Sequence, residues 1–260
     1  GQPAARDGTR ARDLLARPRS TGPRVTLGLG WFLLASASVF NRWSVLALWG
    51  IASAVAAVQV GRTWREQPRA ASMPAWAPVL GAVGAAGCVG AAGVGTALGG
   101  ISLIVLPVLL MIIVTVAGNK PAAASGAAIG LVLAAVPAMA VVLLAREGWE
   151  PALFLVVAVS FYDAGYHIAA AESSSRLEGP VTGAIGLLAV TFKASAFEVT
   201  PFDRVTAWMA GGVLLLACPL GQMLVSAELL TPESSVPAMR RLDSYLVAAP
   251  LMLAAVWVLS

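Results

Sequence analysis

Residues 236–250, VPAMRRLDSYLVAAP, place Arg240, Arg241 and Asp243 directly before an apolar run that continues to residue 260. Ionisable side chains next to a long apolar run are typical of the boundary between a membrane span and water. A bilayer core about 30 Å thick is crossed by roughly 20 apolar helical residues. The rest of the chain repeats the same succession of polar cluster and apolar run, so we predict a polytopic membrane protein.

The composition agrees with this prediction. Hydrophobic residues make up 58% of the chain and charged residues 12%, and the mean hydropathy is +0.83, above the range of ordinary soluble domains. Strand alternation is absent, so the backbone must be hydrogen-bonded within helices. One Gly/Ala-rich run, 76–97, has a re-entrant loop as its alternative. We predict an all-α transmembrane bundle of nine spans, at residues 24–40, 43–61, 76–97, 99–117, 122–145, 151–171, 180–196, 205–229 and 244–260.

The distribution of Lys and Arg predicts the orientation of the bundle. With the N-terminus inside, most of the 17 basic residues fall in cytoplasmic segments, and the outer side holds only Arg42, Arg146, Lys193 and Arg204. We therefore predict a cytoplasmic N-terminus, an outside C-terminus and a place in the inner (plasma) membrane. Residues 1–23 are predicted to be a flexible basic cytoplasmic tail, and 24–260 a single transmembrane domain.

The sequence lacks the motifs of several common chemistries. Cys88 and Cys218 both lie in apolar spans, where they act as small hydrophobic residues. A Gly-rich phosphate loop, zinc-ligand spacing and a Ser/His/Asp nucleophile signature are all absent, and nothing indicates nucleic-acid binding. Function must therefore come from the few polar groups inside or at the edge of the membrane.

Three predicted spans bring polar side chains to one layer on the cytoplasmic side. An ionisable residue within a span is costly and is a candidate for function. Asp163 and His167, four residues apart on one helix, are expected to face inward together. Their alternative role is a local pair that locks two helices. The predicted layer contains Asp163 and His167 from the sixth span, Gln222, Ser226 and Glu228 from the eighth, and Asp243 at the start of the ninth.

The order of these segments resembles the phosphatidate cytidylyltransferases, also called CDP-diacylglycerol synthases. These multi-span enzymes join CTP and phosphatidic acid and release pyrophosphate, with catalytic carboxylates and metal ions facing the cytoplasm. The resemblance covers most of the chain, and it also suggests homodimers. It starts with GPRVTLGLGWFLL at the first span and includes the loop VGRTWRE after the second. It is most specific in four segments of the second half: YDAGYHIA with Asp163 and Tyr166, EGPVTGAIGLL with Gly183 and Gly186, PLGQMLVSAEL with Leu220, Gly221 and Ser226, and RRLDSYLVAAP with Arg241, Asp243, Ser244 and Pro250.

The resemblance implies a metal site at Asp163, Asp243 and Gln222, but the chain departs from the family pattern at most of its charged positions. Two family aspartates are replaced, by Gln222 and Arg240, and Val225 replaces a glutamate. The family lysine falls at Gly179, its Lys-Arg pair falls at Leu229 and Leu230, and its His-Gly-Gly segment is missing. Cytidylyl transfer needs cations to neutralise phosphate charge. We therefore predict an impaired or inactive relative, without an assigned catalytic residue, in which Mg²⁺ is a cofactor only if activity remains.

The altered site predicts lipid binding. Arg240, Arg241 and Ser244 are candidate lipid or phosphate ligands, with Arg240 in place of the metal and Asp243 orienting Arg241. The predicted partners are membrane lipids, phosphatidic acid among them, and a second copy or another membrane protein. Two alternatives remain: a divergent active cytidylyltransferase that uses Glu228, Glu178 or Glu172, and a transporter or scaffold in which Asp163 serves a proton or ion. Both arginines also fit a simple topology signal.

Overall fold

Helices are the only regular elements in a computed structural model of the protein, which describes residues 22–70, 72–117, 120–172, 178–229 and 236–259. The all-α prediction is confirmed for these ranges. A short 3-10 turn, Pro68–Ala70, follows the second helix. The α-helices are α1 (Gly22–Ser38), α2 (Arg42–Arg65), α3 (Ala77–Val94), α4 (Thr96–Val116), α5 (Pro121–Glu147), α6 (Trp149–Glu172), α7 (Glu178–Ala196), α8 (Arg204–Leu229), α9 (Met239–Leu242) and α10 (Tyr245–Leu259).

Within the described ranges, eight helical segments are long and apolar enough to cross a membrane, which makes the chain a multi-pass membrane protein. They are α2 to α8 and the combined stretch of α9 and α10, Met239–Val258. The first predicted span is the shorter helix α1, of 17 residues. The Gly/Ala-rich run forms α3, one continuous helix of 18 residues, which favours a full crossing over a re-entrant loop. Most of the predicted tail, residues 1–21, lies outside the described residues.

Contacts at the two ends of the bundle show which helix ends lie together. At one end, which we call the α9 end, the backbone N–H of Ala238 donates to Gln59 Oε1 of α2 at 2.9 Å. At the opposite end, Trp257 Nε1 of α10 donates to Glu147 Oε1 of α5 at 3.0 Å. The distribution of Lys and Arg predicts that the α9 end is the cytoplasmic one.

The most buried spanning helix is α5, and the least buried is α4. Ala and Gly dominate α5, and this allows α2, α3, α4, α6 and α10 all to pack closely around it. Residues of α4 such as Ile101, Ile104 and Val108 are exposed. An apolar surface of this kind suits contact with lipid. The core therefore lies around α5, and α4 lies on the outer surface of the bundle.

At the opposite end of the bundle, two polar residues cap the N-termini of helices α2 and α8. Asn41 Oδ1 accepts from the backbone N–H groups of Trp43 and Ser44 and so caps α2. Asp203 Oδ1 caps α8 in the same way. Bonds from the backbone N–H and the hydroxyl of Thr206 hold the pKa of the Asp203 carboxyl below its ordinary value. These caps allow short turns between antiparallel helices.

The last span differs from its prediction at its start. We expected it to begin at residue 244, with Asp243 at the edge, but the apolar helical stretch already begins at Met239. Asp243 and Ser244 form a turn between α9 and α10, and Asp243 is only 3% exposed. A buried carboxylate needs compensating partners, and these partners define the site.

Candidate functional site

Asp163, Gln222 and Ser244 form a closed triangle of hydrogen bonds near the α9 end. The Ser244 hydroxyl donates to Asp163 Oδ1 at 2.6 Å. Gln222 Nε2 donates to Ser244 Oγ at 2.9 Å and to Asp163 Oδ1 at 3.3 Å. Because a carboxylate only accepts, the amide nitrogen of Gln222 must face it. Gln222 Oε1 is left buried without a hydrogen-bond partner among the described residues.

Arg240 connects a second carboxylate to this triangle. Its Nη1 lies 3.3 Å from Asp243 Oδ2 and donates to Ser226 Oγ at 2.9 Å. Asp243 Oδ1 accepts the backbone N–H of Ser244 at 2.7 Å and lies 3.5 Å from the Ser244 hydroxyl. The predicted convergence of Asp163, Gln222 and Asp243 is thus confirmed. We call these six residues the polar network: Asp163, Gln222, Ser226, Arg240, Asp243 and Ser244.

Close packing of α8 against the α9–α10 turn holds the polar network together. A methyl group at Gly221 would collide with the carbonyl oxygen of Asp243. Glycine therefore lets the helix that carries Gln222 and Ser226 approach the turn that carries Asp243. Gln59 fixes the start of this segment through its bond from Ala238 N. Gln59 was not predicted from the sequence, although a single polar residue in the apolar run AVAAVQV is a usable signal.

Aromatic side chains adjoin the polar network. Tyr245 follows Ser244 directly, and its ring packs edge-on against Trp49 with centroids 5.1 Å apart. Trp49 is fully buried and packs in the same manner against Trp31 at 5.5 Å. The Tyr245 hydroxyl donates to the Val156 carbonyl at 3.4 Å. These aromatic residues were not predicted from the sequence, because the tryptophans lie in apolar spans without a distinctive spacing.

His167 lies apart from the position predicted for it. Its side chain is exposed and packs edge-on against Tyr166, with ring centroids 5.9 Å apart. The prediction that His167 faces inward together with Asp163 is therefore wrong. Four residues advance an α-helix by one turn plus about 40°. Since Asp163 is already only partly buried, that rotation is enough to turn His167 outward.

Other candidates also lie away from the network. Glu228 and Glu178 are exposed, and the side chain of Glu172 is outside the described residues. The Arg241 guanidinium lies against Gly28 of α1. Asp243 forms its salt bridge with Arg240, which corrects the expectation that Asp243 orients Arg241. Consecutive helical residues point about 100° apart, so the two arginines reach different helices.

The described part of the chain fits a magnesium ion poorly. Mg²⁺ requires near-octahedral oxygen coordination. Within the described ranges, no group of three or more His, Cys, Asp or Glu residues lies close enough together to hold a metal ion. The polar network contains only two carboxylates, Asp163 and Asp243, and Arg240 Nη1 lies 3.3 Å from Oδ2 of Asp243. A guanidinium in this position opposes a divalent cation by charge repulsion.

No protein-family model matches the sequence, and no curated protein matches it significantly. The fold and the site together define the protein as a multi-pass helical membrane protein with a buried polar network at one end. The chemistry of that network must therefore be argued from its own residues.

Proposed function

We propose that the protein binds the phosphate of phosphatidic acid through Arg240 and acts as a lipid-binding or regulatory subunit, without transfer activity. In this proposal it is a divergent relative of the phosphatidate cytidylyltransferases. One observation carries it: Arg240 is bound between Asp243 and Ser226, where the resemblance expects a metal site. A fixed cation that belongs to the protein can bind a phosphate directly, without a metal ion.

The remaining donors of Arg240 support this role. A guanidinium has five N–H donors in a planar fork that matches phosphate oxygens. Nη1 alone makes both contacts of Arg240 among the described residues, so Nε and Nη2 remain for a ligand. The Arg240 side chain is 25% exposed, in contrast to 4% for Asp243. Asp243 therefore anchors the arginine from within while its outer edge stays accessible.

The depth of the arginine suits a headgroup. Ser226 lies about one turn before the end of α8 at Leu229, so Arg240 is held near the end of a span. Lipid phosphates lie at this boundary, just outside the hydrocarbon core. The buried Gln222 Oε1 can accept from a phosphate hydroxyl or from a bridging water. The network thus contains free donors on Arg240 and one unsatisfied acceptor on Gln222.

Native mass spectrometry of the detergent-purified full chain tests the proposal. Phosphatidic acid or diacylglycerol, which lacks the phosphate, is added in the presence of EDTA. We expect retention of phosphatidic acid only, and about tenfold or more weaker binding in Arg240→Ala, because a hydrogen bond to a charged group contributes about 1.5–3 kcal/mol. Arg65→Ala is the matched control, since Arg65 is an exposed arginine at the same end.

A second variant separates binding from folding. Arg240→Ala leaves Asp243 buried without its charge partner, whereas Arg240→Ala/Asp243→Asn leaves no unpaired charge. We expect the double variant to unfold near the native temperature and to bind phosphatidic acid as weakly as Arg240→Ala does. Native-like binding in either variant would make Arg240 a topology signal only. Equal losses in Arg240→Ala and Arg65→Ala would indicate general charge attraction.

A further inference from the structure

Two arginines at the opposite end of the bundle bind two of the last carbonyls of α3. The final carbonyls of a helix lack partners within it. The chain passes from α3 to α4 through the single residue Gly95, whose N–H takes the Ala91 carbonyl at 3.0 Å. Arg42 Nη2 donates to the Gly93 carbonyl at 2.7 Å, and Arg146 Nη1 donates to the Ala92 carbonyl at 2.9 Å. Both cations also complement the negative end of the helix dipole.

Each of these arginines keeps most of its donors. Among the described residues, each guanidinium makes one hydrogen bond, and neither has a carboxylate partner. Glu147, next to Arg146 in the chain, accepts from Trp257 instead. Both arginine side chains are exposed. Two like charges are thus fixed at successive carbonyls of one helix, on side chains that are exposed.

Aromatic residues place these arginines at the depth of lipid headgroups. Phe40 and Trp149 pack together with ring centroids 5.1 Å apart, and they are 60% and 46% exposed. Trp43 is 73% exposed, and its ring lies 5.7 Å from the Arg42 guanidinium carbon. Exposed aromatic rings at the ends of spans are typical of the membrane interface. Arg42 and Arg146 therefore lie where phospholipid phosphates lie.

The geometry points to a phosphate site formed by Arg42 and Arg146 around the C-terminus of α3, which takes the phosphodiester of a phospholipid in the leaflet at this end. Planar guanidinium forks match phosphate oxygens, and one anion would offset the repulsion between the two arginines. This site also accounts for two basic residues on the side where the charge rule predicts few. It uses no residue of the polar network and is independent of the Arg240 proposal.

Native mass spectrometry of full-length Arg240→Ala protein tests this site, since that background removes the proposed site at the α9 end. The probes are phosphatidylglycerol, diacylglycerol and inorganic phosphate. We expect one retained phosphatidylglycerol and no retained diacylglycerol. Arg42→Gln and Arg146→Gln should each weaken retention about tenfold or more. Arg204→Gln should not, because Arg204 is an exposed arginine at the same end that is paired with Glu198 at 3.6 Å.

Three results would contradict the lipid site. Native-like retention in both glutamine variants, or an equal loss in Arg204→Gln, would leave Arg42 and Arg146 as helix caps alone. Displacement of phosphatidylglycerol by millimolar inorganic phosphate, without any preference for the lipid, would make free phosphate the ligand. Arg42→Lys and Arg146→Lys control for folding, because lysine can still donate to the α3 carbonyls but has no planar fork. In both lysine variants we expect a native unfolding temperature and weaker retention of phosphatidylglycerol. Native-like retention would show that the planar guanidinium is not needed for lipid binding.

Discussion

Ser244 satisfies both carboxylates of the polar network at once. Its hydroxyl donates to Asp163 on α6, and its backbone N–H donates to Asp243, the residue before it. The same hydroxyl accepts from Gln222 on α8. A hydroxyl has one donor and two acceptor sites, so it can donate to Asp163 and accept from Gln222 at the same time, which an alanine side chain cannot do. This single residue therefore links three segments that are distant in the sequence.

Replacing Ser244 by Ala should destabilise the fold clearly. The substitution removes a donor from Asp163 and an acceptor from Gln222, and each buried polar group left unsatisfied costs about 1–3 kcal/mol. We expect a lower unfolding temperature in detergent, followed by tryptophan fluorescence. Ser53→Ala is the matched control, since Ser53 is equally buried but donates only to the Gly50 carbonyl of its own helix. Similar small losses in both variants would contradict the importance of the triangle.

At the scale of the helix, the contact between α8 and the α9–α10 turn places the polar groups. Gln222 and Ser226 are one turn apart on α8, and each contacts a residue of the segment 240–244. Gly221 is the point of closest approach. Gly183 and Gly186 have the same function between α7 and α6, where added methyl groups would meet the carbonyls of Tyr162 and Phe161. Small residues thus set the helix spacing, as expected in a bilayer, where the hydrophobic effect does not drive helices together.

Gly221→Ala should therefore separate α8 from the turn. An added methyl group in a close contact costs about 1–3 kcal/mol, so we expect a lower unfolding temperature together with weaker phosphatidic acid retention. Gly212→Ala, on the same helix, is the control, because a methyl group there meets nothing within 4 Å. Alanine is also the better helix former, by about 1 kcal/mol, so this variant should be neutral or more stable. An unchanged unfolding temperature in Gly221→Ala would show that α8 and the α9–α10 turn are not in tight contact.

For the whole molecule, the sequence was sufficient to predict the helical bundle and the layer at which its polar residues meet. Span length and the alternation of direction follow from bilayer thickness and local hydropathy, and they place Asp163, Gln222 and Asp243 at one end. Helix rotation and side-chain pairing depend on packing between distant segments. For this reason the sequence did not predict the outward position of His167 or the choice of Arg240 over Arg241 as the partner of Asp243.

Pyrophosphate release from CTP and phosphatidic acid, measured with the purified full chain in magnesium, tests the central claim most directly. Because Arg240 occupies the position beside Asp243 that a metal ion would need, we expect no release above the protein-free rate. Phosphatidic acid should still bind in EDTA. Magnesium-dependent release that is abolished by Asp163→Asn would contradict the account, since the two remaining carboxylates would then support transfer despite the arginine.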